Sequence, residues 1–182
     1  MTGVLDLETH LGFYKSYHFN RVNVIIHTIC IPIILTTIVT ALTTINISDQ
    51  HPFLNVGTAF TVAYGIYYTL LDTPVGLPVF SGLVYINYAI KEHYLSLDAL
   101  QKSQFVKSAL TLHVLAWLAQ FYGHGVHEKR APALLDNLLQ ALVLAPFFVV
   151  YELLFVLGIR KDLEKAMLNK AGVMRSKFAS SK

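Results

Sequence analysis

Charge is missing over long intervals of this chain, and no other feature restricts its fold as tightly. Between Arg21 and Asp49 lie 27 residues without Asp, Glu, Lys or Arg, and between Asp49 and Asp72 another 22. Asp72 to Lys91 encloses 18 more, and Lys107 to Glu128 encloses 20. About 18 or more mainly apolar residues can cross a hydrocarbon core roughly 30 Å thick. The intervals therefore predict four spans, near Val24–Ile45, Phe53–Leu71, Val75–Ile90 and Ser108–Tyr122. A fifth apolar segment, Leu134–Ile159, is interrupted by Asp136, Pro146 and Glu152, which suits a re-entrant or interfacial hairpin better than a crossing.

Composition agrees. Charged residues make up 14% of the 182, against about 25% in an ordinary globular domain. That excludes disordered, coiled-coil and nucleic-acid-binding readings. The single cysteine, Cys30, excludes an internal disulfide framework and C-x-x-C sites. The expected fold is all-α: a membrane bundle of about four transmembrane helices. An interfacial helix precedes it, formed by LETHLGFYKSYHFN with Leu7, Leu11, Tyr14 and His18 at helical spacing. Acidic Asp6 and Glu8 ahead of the first apolar run argue against a cleavable signal. Residues 1–160 are expected to form one membrane-embedded domain and 161–182 a basic cytosolic tail. With four crossings, one side carries 11 Lys and Arg and the other only Lys91, Lys102 and Lys107, so both termini are expected in the cytosol.

Ionisable side chains at membrane depth are costly and mark functional candidates. His113, Trp117, Gln120 and His124 follow steps of four, three and four, so a straight helix carries them on one face, and His127 extends the stripe. Such a stripe faces a bundle interior, as metal ligands or as interhelical hydrogen-bonding glue. Gly123 and Gly125 beside His124 allow close backbone approach there. His18 and His27 are nine residues apart, about 900° of helix, so they share a site only if the chain bends between them. Asn20 and Asn23 offer that bend, with Asn23 as a cap for the first span. Several imidazoles without thiolates suit Fe, Zn, Cu or Ni. Gln120, Glu128, Asn137 and Asn23 are candidates to orient the ligands. Lys129 and Arg130, at the mouth of the fourth span, are either a topological anchor or a clamp for an amphiphile's carboxylate. No Gly-rich phosphate loop and no Gly-x-Ser-x-Gly elbow is present. From the residues alone an iron oxygenase, a zinc-dependent membrane hydrolase or hydratase, and a non-enzymatic scaffold or transporter all stay open.

Two blocks, LGFYKSYHFNRVNVIIH and WLAQFYGHGVHEKRAPALLDNLLQALVLAPFFVVYELL, closely resemble a fungal family of endoplasmic-reticulum Fe(II)-dependent 2-hydroxy fatty acid dioxygenases that act in phytosphingosine breakdown. The resemblance runs to about Arg160. It implies α-oxidation, in which a long-chain 2-hydroxy fatty acid and O2 give a fatty acid one carbon shorter and CO2, without 2-oxoglutarate. It also implies Fe(II) as cofactor, the lipid bilayer of the endoplasmic reticulum as setting, and His18, His27 and His124 as catalytic ligands, with His93 a weaker match. His113 and His127 fall outside the pattern it implies. Phe19, Tyr64, Tyr67, Tyr68, Phe147 and Phe148 are candidates to wall the acyl tail.

Overall fold

The computed structural model describes residues 3–132, 137–138 and 140–180. Every regular element among them is helical: α1 (Leu7–Ser16), α2 (Arg21–Leu42), α3 (Val56–Leu71), α4 (Thr73–Ser96), α5 (Ala99–Tyr122), a π-helical turn π1 (Gly123–Glu128), a second π turn π2 (Gln140–Leu144), α6 (Ala145–Val156) and α7 (Lys161–Ser180). The chain divides into two compact units. The first comprises Met1–Ile31 with Ala119–Lys182, the second Pro32–Leu118.

Two helices, α2 and α4, are long and apolar enough to cross a membrane. The other two expected spans differ from these in separate ways. Helix α3 has 16 residues, about 24 Å at 1.5 Å per residue, which is less than the hydrocarbon thickness. Helix α5 has 24 residues but spends its first turns on Gln101, Lys102, Ser103, Gln104 and Lys107. In the fifth segment, Leu134 and Asp136 lie outside the described residues. Pro146 does not break the helix there but sits in the first turn of α6, where a missing N–H costs nothing.

The first unit is built around α1. Asp6 caps it, accepting the Thr9 N–H at 3.0 Å and the Thr9 hydroxyl at 2.7 Å. Its buried face includes Leu11 and Tyr14, at the spacing read from the sequence, and that face packs on α7 and α6. At Gly12 a side chain would strike Lys170 of α7, so the two backbones come close. Met167 and Ala171 of α7 are buried, and Lys170 reaches the Thr9 hydroxyl and Glu8. Residues 161–180, expected as a basic tail, form a helix docked on α1. An apolar stripe has the same period whether it faces lipid or another helix, so periodicity could not tell the two apart. Glu152 of α6 pairs with Lys15 of α1 at 2.9 Å.

The second unit holds a helical hairpin of α3 and α4 joined through Asp72, with the second half of α2 and α5 as far as Leu118. Gly65 admits Phe80, and Gly76 lies against the Tyr68 carbonyl. Lys91, counted with the charges outside the expected spans, is buried, and it donates to the Thr43 carbonyl at 2.8 Å and to Asn46 Oδ1 at 3.0 Å. A cation there satisfies carbonyls left open just past the end of α2.

Candidate metal centre

The chain bends where the spacing of His18 and His27 requires it. Helix α1 ends at Ser16 and α2 begins at Arg21, so His18 lies in the turn and His27 almost two helical turns into α2. Asn20 caps α2, its Oδ1 accepting the Val22 N–H at 2.9 Å. That role had been expected of Asn23, which instead is buried within the first turn of α2.

His124 arrives from π1, whose wider turn interrupts the helix just where the straight stripe was drawn. π turns of this kind recur at functional sites. Lys129, with φ 52°, ends the turn in the left-handed region, and the His124 carbonyl accepts the N–H groups of Lys129 and Arg130.

The three imidazoles converge. Ring centroids lie 4.4 Å apart for His18 and His27, 4.9 Å for His18 and His124, and 4.8 Å for His27 and His124, at interplanar angles of 70°, 67° and 84°. One nitrogen from each lies within 4.8 Å of the others, and all three residues are buried. Among the described residues this is the group of three or more such side chains able to hold a metal ion. His93 is not part of it. It is exposed near the end of α4, its ring edge-on to Phe105.

Hydrogen bonds fix which nitrogens are free. His18 Nδ1 donates to the Tyr14 carbonyl at 2.7 Å and His27 Nδ1 to the Asn23 carbonyl at 2.9 Å. Each ring is thereby held as the tautomer whose Nε2 lone pair is available, as in metal-binding histidines. His18 Nε2 and His124 Nδ1 are buried with no hydrogen-bond partner. Leaving such atoms unpaired costs about 1–3 kcal/mol each, and a metal ion would satisfy them. The all-imidazole donor set suits Fe, Zn, Cu or Ni, so the residues fit a metal. Burial first, then His27, keeps the His18 imidazole well below its usual pKa. Burial, then the Arg130 guanidinium, brings His124 down to about 4. Both stay neutral, as ligands must, at physiological pH.

The surrounding frame was read only in part. Glu128, its side chain 3% exposed, accepts the Asn20 N–H at 2.6 Å and Asn23 Nδ2 at 3.4 Å, so it ties π1 to the start of α2 rather than touching an imidazole. Gly123 leaves room for Asn23 against π1. Gln120 is buried with its Nε2 unpartnered. Asn137 accepts the Ala141 N–H through its backbone. Arg130 donates to the Ser16 carbonyl at 3.0 Å and lies 3.5 Å over the Tyr17 ring, bracing the end of α1. Lys129 is exposed on a concave surface with Phe121, Gly125 and Pro132. Sequence reasoning missed Tyr14, which also stacks on His18 at 4.0 Å, and Arg175, which approaches Glu128 at 3.8 Å. The i−4 spacing of Tyr14 to His18 was the available signal.

His113 and Trp117 keep their predicted spacing but serve another purpose. Trp117 Nε1 donates to His113 Nε2 at 3.0 Å, and His113 Nδ1 bonds Thr37 Oγ1 at 2.9 Å. His127 lies half-buried with its ring against Tyr122. Of the expected acyl-tail walls, Phe147, Phe148 and Tyr68 are fully buried packing residues.

Comparison with known proteins adds the family. Residues 4–157 match the family described as 2-hydroxy-palmitic acid dioxygenase Mpo1-like. The chain is 41% identical over 165 residues to the Saccharomyces cerevisiae protein named 2-hydroxy-palmitic acid dioxygenase MPO1, covering 91% of this chain and 89% of the yeast protein. No solved structure matches.

Proposed function

The chain belongs to the Mpo1-like family, and from that membership we propose that it is an Fe(II)-dependent dioxygenase that shortens long-chain 2-hydroxy fatty acids by one carbon and releases CO2. The observation that carries this reading is the buried trio His18, His27 and His124 with two of its nitrogens unsatisfied. The reaction balances with O2 as the sole oxidant: a 2-hydroxy acid and O2 become the shorter acid, CO2 and water, so no 2-oxoglutarate or external electron source is needed. Bound iron supplies redox chemistry and a template on which the acid and O2 meet.

The protein's part is positioning. The Tyr14 and Asn23 carbonyls hold two imidazoles in their ligating tautomers. Glu128 and Gly123 hold Asn23, and hence His27, against the turn that bears His124. Burial of all three rings excludes bulk water. Arg130 acts as a brace for the end of α1 through the Ser16 carbonyl and the Tyr17 ring. His93 has no part in this reading. Setting the enzyme in the endoplasmic-reticulum membrane, with four crossings and cytosolic termini, rests on the charge distribution and on the family resemblance, with α2 and α4 as the two strongest spans.

The test is to load the purified protein with Fe(II) and supply 2-hydroxypalmitate under air. Pentadecanoate and CO2 are expected, and neither without O2. An all-imidazole trio also serves zinc, as in the hydration chemistry of carbonic anhydrase. Turnover without O2, or zinc outperforming iron, would select that second reading.

A further inference from the structure

The first unit has a concave surface that the metal centre does not use. It is a cavity of about 430 Å³ walled by Val24, Ile25 and Ile29 on one face of α2 and by Leu153 and Val156 of α6. Cavities of this size take small ligands. Its walls are unusually open for apolar side chains, with Ile25 49%, Ile29 59% and Val156 83% exposed.

Three observations separate it from a plain lipid-facing surface. It is bordered by charge: Lys15, Glu152 and Arg21 all line it. Lys15 and Glu152 neutralise one another at 2.9 Å, whereas Arg21 has no hydrogen bond or ion pair among the described residues. The net charge on the cavity is thus one guanidinium, a group suited to a carboxylate. It also adjoins the metal centre along the chain. Its lining residues Phe19 and Thr28 are the immediate neighbours of His18 and His27. Finally, Phe19 itself carries the Arg175 guanidinium 4.5 Å over its ring, a second cation at that end.

We propose that this cavity binds a single-chain carboxylate amphiphile, its alkyl chain along the Ile25–Ile29 face of α2 and its carboxylate toward Arg21. The proposal rests on the function given above, for which this would be the substrate's binding groove. It commits to a free fatty acid chain and not to a bilayer phospholipid.

Equilibrium binding of radiolabelled 2-hydroxypalmitate to the full-length, metal-free protein in detergent tests it. Ile25→Trp, which fills the groove, is expected to weaken binding about tenfold or more, and the milder Ile29→Phe by a few fold, with metal uptake unchanged in both. Arg21→Gln is expected to weaken 2-hydroxypalmitate and palmitate about tenfold, the scale of a charge-assisted hydrogen bond, and to leave hexadecanol unaffected. Wild-type affinity in all three variants overturns the proposal, as does loss of affinity in Lys129→Gln alone. Phospholipid that copurifies with the wild type, is absent from Ile25→Trp, and is not displaced by 2-hydroxypalmitate also overturns it. Binding that follows the groove with no product from any metal-loaded form would sink the dioxygenase reading and leave the groove standing. Product formation with wild-type KM in the groove variants would do the reverse.

Discussion

Histidine does opposite work in the two units. In the second, His113 is satisfied at both nitrogens, its Nε2 accepting the Trp117 indole N–H and its Nδ1–H donating to the Thr37 hydroxyl oxygen, whose own proton goes to the Ile33 and Ile34 carbonyls. In the first, His18 and His124 each keep a buried nitrogen with no partner. His113 is half-buried, whereas His18 and His124 are buried. They differ too in whether the last lone pair has been answered, and that distinguishes a structural imidazole from a ligating one.

Replacing the two kinds of histidine should break or sharpen this contrast. The largest effect is expected from His124→Ala, with loss of bound metal and of turnover, read by metal analysis and product assay. His113→Ala should retain metal and instead lose about 1–3 kcal/mol of stability, the cost of removing the acceptor of the Trp117 indole N–H, read by denaturant unfolding in detergent. Equal metal loss in both would dissolve the distinction. Glu128→Ala removes the acceptor for the Asn20 N–H and for Asn23, and should weaken metal binding by about 10–100-fold, as outer partners of ligands do. Competition with a chelator measures that, and Glu128→Gln should recover part of it.

Acid should separate the two regions as well. His124, near 4 when folded, stays neutral while the unfolded chain takes up protons below about 6.5. Folding of the metal-free protein should therefore weaken as pH falls from about 6.5 towards 4 and stay level above it. Unfolding midpoints across that window would show it, and His124→Ala should reduce the slope, with His18 contributing to what remains. The smallest effect is expected at His93, where the exposed site predicts metal binding unchanged and stability within about 0.5 kcal/mol on change to alanine.

Much of this was legible in the chain itself. Long uncharged intervals announce helices, and two asparagines between His18 and His27 announce the bend that lets both reach one place. The stripe from His113 to His124 left ligand and glue open, and His113 takes the second role through Trp117 and Thr37. The π turn at Gly123–Glu128 resets the register, and nothing in GHGVHE spells a π turn in advance. Two of the four expected spans, α2 and α4, form helices long and apolar enough to cross, and absence of charge measures an interval, whereas crossing depends on the helix that forms within it. That helix is 16 residues long in α3 and polar at its start in α5. The docking of α7 was hidden because its partner face on α1 lies some 150 positions away, and the backbone carbonyls of Tyr14 and Asn23 carry no side-chain signature at all.

The second unit is inserted between the two halves of the first, so 97 positions separate His27 from His124 (124 − 27). During synthesis two of the three donors leave the ribosome well before the third, and a chain that stops short of Gly123 has a pair of imidazoles and nothing to close on. Metal acquisition is then a late event in biogenesis, and an ion held by the finished trio would act as a clasp across the whole insertion.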